Sequence, residues 1–443
     1  MAITSTLLLS LWLVVGALSV VTNRDLLSPA KFFHLYVGLY FADLFLAGHH
    51  ADIVAVYLGL LALSAVIAIF EWVQVSTSQR VRSTKDLNIV ARRPTAAVNV
   101  QSHAFWLIWI ATLLPISSLA YLIYDSGSLL AYVLRTTVLV QEFRGAGIYI
   151  AAIKLMVPLN GLYWICLLLR DNPRRSERLI FVVHLVLLIL LTAATGSRGT
   201  ILTGFVILIL AYHLLKRPLS GYVLGLAATM LILTAGILGV VRSNYSVTDE
   251  AIVMKSLEVG DYAKLGFTDY GIAPLELALN QPGVHRALGS TYASAITNFV
   301  PRRLWPDKLT TGGVYLTEKY ADNRWGGTSY LSTGAITEGI INFGYVPGIL
   351  VAFGFFVLVY LAFLARYSFR AYCFSGPHEA SIAMRAFVVV NLTILLPNFL
   401  IGEFTNMVVQ IVLRVACAGG ILFVYRLFRE STVPATRNLD QRP

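Results

Sequence analysis

Residues 179–215 read LIFVVHLVLLILLTAATGSRGTILTGFVILILAYHLL, and this stretch decides the fold. Two apolar runs, 179–195 and 200–215, meet at the short sequence TGSRG with almost no connector between them. Each run approaches the length of about 20 apolar residues that spans a bilayer as a helix. The stretch therefore predicts two transmembrane helices joined by a tight turn.

The same alternation of apolar runs and short polar connectors extends over the whole chain. Hydrophobic residues make up 57% and charged residues 13% of its 443 residues, whereas a soluble domain carries about 25% charged residues. We predict an all-α polytopic membrane protein with about eleven transmembrane helices, in a range of about ten to twelve. The predicted spans are 3–21, 30–47, 52–73, 103–124, 147–169, 179–195, 200–215, 221–241, 335–365, 384–401 and 405–425.

The distribution of lysine and arginine predicts the orientation of these spans. More than half of the 34 basic residues lie in one alternating set of connectors, namely 24–31, 80–93, 170–178, 216–217, 366–370 and 426–442. Basic connectors stay in the cytoplasm, which places the N-terminus outside and the C-terminus inside for an odd number of spans. Because the net charge of +11 is concentrated in these connectors, it does not indicate a nucleic-acid partner.

This topology divides the chain into three parts: 1–241 with the first eight helices, 242–334 as a large outer loop, and 335–443 with the last three helices and a cytoplasmic tail. In the loop we predict local helices at 249–265 and 274–279, and irregular structure at 310–332, which is rich in glycine and threonine. The span at 335–365 is long for one crossing, so 335–344 is a candidate re-entrant or loop segment. No metal-ligand spacing is present, and no cofactor is expected.

Basic residues are sparse on the outer side, so each one is a candidate for function. Arg198 is flanked by glycines, so that backbone N–H groups and the guanidinium can converge on a phosphate; the alternative is a tight turn whose arginine reaches lipid headgroups. Arg242 leaves a span for the large loop, where an interfacial anchor is the ordinary role. Arg135 and Arg144 could complete a basic site or anchor an interfacial helix.

Residues 298–308, NFVPRRLWPDK, form the richest stretch of the outer loop. Arg302, Arg303 and Lys308 are interleaved there with Trp305, and two prolines restrict the backbone. An aromatic ring beside cations suits a sugar-phosphate ligand, because the ring stacks on the sugar and the cation pairs with the phosphate. The alternative is an amphipathic segment that lies on lipid headgroups.

Two acidic residues lie at the mouths of the last spans. Glu338 stands in residues 334–344, GAITEGIINFG, among apolar and small residues. A carboxyl at membrane depth is a candidate for function, and desolvation should raise its pKa toward the range of a general base. Glu403 lies in the last outer turn; for both residues the alternative is a structural partner of an outer arginine. Asp43 and Lys154 lie within predicted spans and carry less weight, since either could pair or snorkel.

Four stretches give the chain a resemblance to bacterial oligosaccharide repeat-unit polymerases, the Wzy-type O-antigen and exopolysaccharide polymerases. They are residues 26–31 (LLSPAK), 195–199, 298–308 and 334–344, in an order and position relative to the spans that also fit. The resemblance implies a GT-C-like fold without a metal, in the bacterial inner membrane, with an active site that faces the periplasm. It further implies transfer of a growing glycan from undecaprenyl diphosphate to a sugar hydroxyl of the next lipid-linked unit, with a flippase and a chain-length-regulating co-polymerase as partners.

This chemistry requires cations for the diphosphate leaving group and a base for the acceptor hydroxyl. The predicted diphosphate-binding residues are Arg198, Arg242, Arg302 and Arg303. The predicted catalytic base is Glu338, with Glu403 as the second choice. The predicted substrate contacts are Arg135, Arg144, Lys308, Trp305 and Tyr315.

Three other functions compete with this one. An O-antigen ligase uses the same donor and a histidine of the large loop, but His285 and its neighbours do not match that pattern. A transporter would place polar residues along several spans and show two related halves, whereas these spans read as mostly free of charge. A structural scaffold would leave the clustered outer arginines without a purpose.

Overall fold

The computed structural model describes residues 2–23, 25–45, 51–85, 100, 102–129, 131–132, 147–170, 172–195, 198–243, 245–247, 252–254, 272–280, 286–300, 304–321, 331–366 and 379–432. One antiparallel hairpin pairs β1 (Tyr245–Val247) with β2 (Ile252–Met254). The α-helices in chain order are α1 (Ala2–Thr22), α2 (Pro29–Tyr40), α3 (Ala51–Lys85), α4 (Ser102–Asp125), α5 (Gly147–Lys154), α6 (Met156–Leu169), α7 (Arg175–Ala194), α8 (Arg198–Leu215), α9 (Gly221–Ser243), α10 (Ile272–Asn280), α11 (Ser290–Thr297), α12 (Gly312–Tyr320), α13 (Gly334–Phe343), α14 (Tyr345–Arg366), α15 (Glu379–Asn398) and α16 (Phe404–Thr432).

Seven helices of the described chain are long and apolar enough to cross a membrane. They are Ala51–Thr77, Ser102–Asp125, Gly147–Leu169, Arg175–Ala194, Tyr345–Ala365, Glu379–Asn398 and Phe404–Arg429. Shorter apolar stretches at Ser5–Val21, Gly199–Leu215 and Gly221–Leu231 coincide with three more of the predicted spans. The prediction of a helical, polytopic membrane protein is confirmed at this level, while a count of eleven spans and a GT-C-like topology stay predictions.

The second predicted span, 30–47, differs from a continuous crossing. Helix α2 has 12 residues, which corresponds to about 18 Å at 1.5 Å per residue, and a 3₁₀ turn at Ala42–Phe45 follows it. Seven residues of α2 are buried, because the helix packs between α1, α3 and α15. The described part of this apolar run therefore forms a short interior helix rather than one full span.

Predictions for the large loop were right at one segment and wrong at two. Helix α10 confirms the predicted helix at 274–279. A helix at 249–265 is wrong at Ile252–Met254, which is a strand rich in the β-branched residues that favour pairing; the rest of that range lies outside the described residues. The predicted irregular segment 310–332 contains α12, whose Leu316 and Tyr320 are buried in the core.

The apolar core consists of two clusters that α15 and α16 join. One cluster combines side chains of α4 to α8, and the other combines α1 to α3 with α10, α12, α13 and α14. The parts of α15 and α16 that lie away from their connecting turn pack into the first cluster, while the turn between these two helices packs into the second. The second cluster therefore surrounds the place where that turn meets α13.

The predicted break near residue 344 is observed. Gly344 separates α13 from α14 with φ +89° and ψ 176°, a conformation that is essentially restricted to glycine. After this corner the two helices touch through their backbones, because a Cβ on Gly339 would lie 2.3 Å from the carbonyl oxygen of Gly348. Helix α13 is thus a short buried segment folded against the start of α14.

Replacement of Gly344 tests this corner. We expect Gly344→Ala to lower the free energy of unfolding by about 1–3 kcal/mol, since a Cβ strains this backbone conformation. The matched control is Gly354→Ala within α14, where an added Cβ meets no atom within 4 Å and a helix is favoured by alanine. Thermal unfolding of the purified protein in detergent measures both; an unchanged midpoint for Gly344→Ala would contradict the strained corner.

Candidate functional site

The start of α13 is bonded to the turn between α15 and α16. The N–H of Ala335 donates to the carbonyl of Phe399 at 2.7 Å. The Ser332 hydroxyl donates to the carbonyl of Ile401 at 2.6 Å. These two bonds place the first turn of α13 against the beginning of α16, and so they bring the Glu338 side chain to the N-terminus of that helix.

Glu338 uses one carboxyl oxygen to cap α16. Its side chain is fully buried, and Oε2 accepts the N–H of Phe404 at 2.9 Å and the hydroxyl of Thr333 at 3.2 Å. Phe404 is the first residue of α16, so its N–H has no partner inside the helix and carries the positive end of the helix dipole. The cap therefore fixes the orientation of the carboxyl group.

The second oxygen of Glu338 is buried and has no hydrogen-bond partner within the described part of the chain. It faces Gly312, because a Cβ on that residue would lie 2.7 Å from Oε1. An unpaired buried acceptor costs about 1–3 kcal/mol, so native proteins rarely leave one without a purpose. Oε1 is thus a buried acceptor whose hydrogen-bonding capacity is unused among the described residues.

Burial raises the pKa of Glu338 to about 7, and the negative charge of Glu403 adds to the rise. The N–H of Phe404 and the hydroxyls of Thr291 and Thr333 act in the opposite direction, because they stabilise the ionised form. A carboxyl group that titrates near neutral pH can accept a proton and release it again under ordinary conditions.

Glu403 differs from Glu338 in that both of its oxygens are occupied. Oε1 accepts the N–H of Gly313 at 2.8 Å, and Oε2 accepts an N–H of Asn406 at 2.9 Å. Burial raises the pKa of Glu403, while hydrogen bonds from Thr311 and Gly313 oppose the rise. Since Gly313 lies in the first turn of α12, Glu403 acts as the cap that attaches α12 to the start of α16.

Asn342 fixes α11 beside the site. Its Nδ2 donates to the carbonyl of Glu338 at 2.7 Å and to the hydroxyl of Thr291 at 2.6 Å, and its Oδ1 accepts the N–H of Gly289 at 2.8 Å. All three bonds are buried or nearly so, and they connect α13 with the segment that leads into α11. The sequence reading missed this residue, although its position four residues after Glu338 places it on the same helix face.

Arg286, in the predicted outer loop, lies beside α13. Its Nη2 atom is 3.3 Å from the position that a Cβ on Gly344 would take. The next residue, Ala287, donates its N–H to the carbonyl of Ile341 at 2.9 Å, which ties the segment to the end of α13. Arg286 is exposed, so its guanidinium is accessible to an anionic ligand.

The stretch 298–308 is described in part, and its substrate contacts stay a prediction. Lys308 Nζ donates to the carbonyl of Val300 at 3.0 Å and, at 3.4 Å, to the carbonyl and side-chain oxygens of Asn298, which closes the loop after α11. Trp305 is half-exposed beside Leu304, which is 79% exposed; this apolar edge fits the alternative of a segment on lipid headgroups.

The remaining predicted site residues are distributed as follows. Tyr315 packs against the second apolar cluster. Arg198 is the first residue of α8 and Arg242 lies in the last turn of α9, and only their backbones are described. The residues outside the described part of the chain are Arg135, Arg144, Arg302 and Arg303.

The LLSPAK stretch at residues 26–31 forms a hydrogen-bonded cluster that is separate from the carboxylate site. The N–H of Ala30, in the first turn of α2, donates to Glu71 Oε2 at 3.0 Å. Lys31 Nζ donates to the carbonyls of Asn23 at 2.7 Å and Asp25 at 2.5 Å. These bonds anchor the start of α2 to α1 and α3 on the predicted cytoplasmic side, so this motif does not join the carboxylate site.

No family model, curated protein or solved structure matched the chain. The described residues also contain no group of three or more His, Cys, Asp or Glu side chains that could hold a metal ion.

Replacement of each carboxyl by an amide separates their roles at pH 8. Gln at position 338 keeps an oxygen for Phe404 and Thr333, and it puts an NH₂ group where Oε1 has no partner. Gln at position 403 leaves one of two buried donors without an acceptor, which costs about 1–3 kcal/mol. Hence Glu403→Gln should lower the midpoint of thermal unfolding, whereas Glu338→Gln should keep or raise it.

The sign of the pH dependence provides the check. Because the pKa of Glu338 is raised from 4.5 to about 7, the folded protein binds the proton more tightly, and stability falls as pH rises from about 4.5 to about 7. Glu338→Gln should make that fall smaller when thermal midpoints are measured across this range, and Glu403, whose pKa burial also raises, contributes to the part that remains. An equal fall in wild type and Glu338→Gln would contradict the assignment.

Proposed function

We propose that the chain polymerises lipid-linked oligosaccharides at the outer face of the bacterial inner membrane. It would transfer a glycan from a lipid diphosphate to a sugar hydroxyl of a second lipid-linked unit, with Glu338 as the general base. One observation carries the proposal: Glu338 is a buried carboxyl with one oxygen held by a helix N-terminus and the other unpaired.

The proposed step balances as follows. Glu338 Oε1 accepts the proton of the acceptor hydroxyl while the hydroxyl oxygen forms a bond to the anomeric carbon of the donor glycan. The bond between the anomeric carbon and the diphosphate oxygen breaks, and its electron pair leaves with the lipid diphosphate. The proton on Glu338 then passes to water or to the released diphosphate, which restores the base.

The environment of Glu338 fits this task in two respects. Since Phe404 and Thr333 occupy Oε2, a substrate hydroxyl can approach only through Oε1, which sets one direction of attack. A pKa near 7 leaves a sizeable fraction ionised at neutral pH and makes the group a stronger base than an ordinary glutamate.

The leaving group requires positive charge close to the diphosphate. We assign this role to outer arginines, namely Arg198, Arg242, Arg302 and Arg303, and we add the exposed Arg286 beside α13. The resemblance to repeat-unit polymerases at residues 195–199, 298–308 and 334–344 supports this assignment. The proposal includes the finer topology of about eleven spans, a GT-C-like arrangement and a periplasmic active site, with a flippase and a co-polymerase as partners.

Two other functions use part of the same features. An O-antigen ligase would take the same donor but a lipid A-core acceptor, and the chemistry of Glu338 alone does not separate the two. A transporter of lipid-linked glycans is favoured by Lys154 and Arg414, two basic residues within apolar spans. The products that accumulate in cells distinguish all three.

Deletion of the gene in its host, followed by complementation, tests the proposal. Glu338→Gln should reduce polymer by roughly 100-fold or more, as for loss of a general base, and leave single lipid-linked repeat units. The matched control is Glu318→Gln, an exposed glutamate of α12, which should restore long polymer. Gels of surface glycan at equal protein level give the readout.

Each alternative predicts a different gel. Long polymer that remains on its lipid carrier in the deletion strain would indicate a ligase. Lipid-linked units that stay on the cytoplasmic side, with surface glycan lost, would indicate the transporter. Unchanged surface glycan in that strain would exclude all three functions. Full polymer with Glu338→Gln would show that the base lies elsewhere.

The rate of transfer should depend on the ionisation of Glu338. With purified protein and lipid-linked units, the rate should rise with pH to a plateau, with a midpoint near the pKa of about 7, because only the carboxylate accepts the proton. The residual transfer rate of Glu338→Gln should lack this rise with pH. A wild-type rate that is already maximal at about pH 5, within one unit of an ordinary glutamate pKa, would contradict the proposed base.

A further inference from the structure

Helix α11 has the reverse of the polarity expected for a helix in a water-exposed loop. Its buried positions include the hydroxyl residues Thr291, Ser294 and Thr297, while its exposed positions are Ala293 and Ile296. The Ile296 side chain is 78% exposed. A helix on a protein surface in water instead buries its apolar side and exposes its polar side. The pattern of α11 therefore fits apolar surroundings on its outward side.

Helix α12, in the same predicted loop, shows the ordinary pattern. Its Leu316 and Tyr320 are buried, and its exposed positions are Glu318 and Lys319. Residues 287–301, which contain α11, include no Asp, Glu, Lys or Arg. The reversed polarity is thus a property of this segment and not of the predicted loop as a whole.

The hydroxyl side of α11 is fixed to α16. The hydroxyl oxygens of Ser294 and Thr405 lie 2.6 Å apart. Both hydroxyls are also within hydrogen-bond distance of the carbonyl of Thr291, at 2.6 and 3.1 Å. Thr405 is the second residue of α16, whose apolar span begins at Phe404. These bonds place α11 beside the first turn of that span.

The residues that lead into α11 are fixed to the end of α13. The N–H of Ala287 donates to the carbonyl of Ile341 at 2.9 Å. The N–H of Leu288 donates to the carbonyl of Asn342 at 3.2 Å. The next apolar span begins at Tyr345, directly after the glycine corner that ends α13. The segment therefore lies beside the first turns of two helices that can cross the membrane.

Leu288 is a second sign of apolar surroundings. Its φ of +48° lies in the left-handed region, which a residue with a Cβ disfavours. Its side chain is nevertheless 77% exposed, so contacts with the described chain give little in return. In lipid, removal of this side chain from water would offset the cost of the backbone conformation.

The apolar exposure continues after α11. Phe299 and Trp305 are half-exposed, and Leu304 is exposed as well. Lys308 Nζ donates to the carbonyl of Val300 at 3.0 Å, which closes the loop and keeps this part of the chain near the end of α11. Tryptophan is enriched where a protein crosses the membrane–water boundary, so the loop fits that level.

We propose that α11 lies in the membrane, with Leu288, Ile296 and Phe299 among the acyl chains of the leaflet on the side of the large loop. The bonds to the first turns of two spans favour lipid over water as the environment. The absence of charge in residues 287–301 favours lipid over a protein partner, because protein interfaces usually have a polar rim. A part of the predicted outer loop is then embedded in the bilayer.

This depth also applies to the carboxylate site. Asn342 Nδ2 donates to the hydroxyl of Thr291 in α11 at 2.6 Å and to the carbonyl of Glu338 at 2.7 Å. Glu338 is thus two hydrogen bonds from a helix in the lipid, and its carboxyl lies close to the membrane surface. The position of α11 itself does not depend on the proposed function.

Spin labels measure the surroundings of α11. Ile296→Cys and Glu318→Cys, the matched exposed position of α12, are each labelled with a nitroxide in a background whose three native cysteines are alanine. The full chain is placed in nanodiscs of phosphatidylcholine. Collisions of the label are measured with oxygen, which concentrates in lipid, and with a nickel chelate, which stays in water. The ratio of oxygen to nickel collisions should be several-fold higher at position 296 than at position 318.

Two outcomes of this measurement would overturn the inference. Nickel collisions as frequent at position 296 as at position 318 would show that α11 faces water. Low collision frequencies with both reagents would show that protein covers the helix. Leu288→Cys repeats the measurement outside the helix, and it decides if the labelled Ile296→Cys protein does not fold.

The thermal midpoint in the same nanodiscs provides an independent test. Ile296→Asn should lower the midpoint by several degrees, because an amide in lipid lacks hydrogen-bond partners, whereas isoleucine and asparagine have similar helix propensities. Glu318→Asn should leave the midpoint nearly unchanged. A midpoint that Ile296→Asn leaves unchanged or raises would contradict a lipid-facing side chain. Neither test measures polymer formation, so a failure of the proposed function is recognised separately.

Discussion

The hydrogen bond from the Phe404 N–H to Glu338 Oε2 holds the candidate site together. It joins the buried segment α13 to the first residue of α16, and it turns the other carboxyl oxygen toward Gly312 at the start of α12. Glu403, the residue before Phe404, makes the same kind of hydrogen bond, because it caps the N-terminus of α12. The two carboxyls thus cap the N-termini of two helices, α16 and α12, and among the described residues Glu338 Oε1 is left without a partner.

This arrangement concentrates unfavourable electrostatics in the interior of the protein. A buried carboxyl lacks a partner for one oxygen, while Arg414 is oriented by amides rather than by carboxylates. Each feature costs stability that the two apolar clusters must offset. A hydroxyl donor that reaches Glu338 Oε1 in the proposed transfer would remove the first of these costs.

Periodicity and composition were sufficient for the large elements, but not for contacts between distant parts of the chain. Apolar runs predicted the seven long helices, and the length of the run at 335–365 indicated the break at Gly344. The residues GAITEGIINFG identified Glu338 because a carboxyl among apolar residues is unusual. Helix α12 was missed, since its glycine-rich start is stabilised by Glu403, 90 residues away. Arg414 was missed because a single charge barely alters the hydropathy of a long apolar run.

The protonation state of the Glu338 carboxyl can be measured directly. Infrared difference spectra between wild type and Glu338→Gln isolate the carbonyl band of its protonated carboxyl, which can be followed as pH rises. This band should be strong in the ligand-free protein at mildly acidic pH and should disappear with a midpoint near the pKa of about 7. A band that is already half lost near pH 4.5, the ordinary pKa of glutamate, would show a solvated carboxylate and contradict the buried, half-paired base.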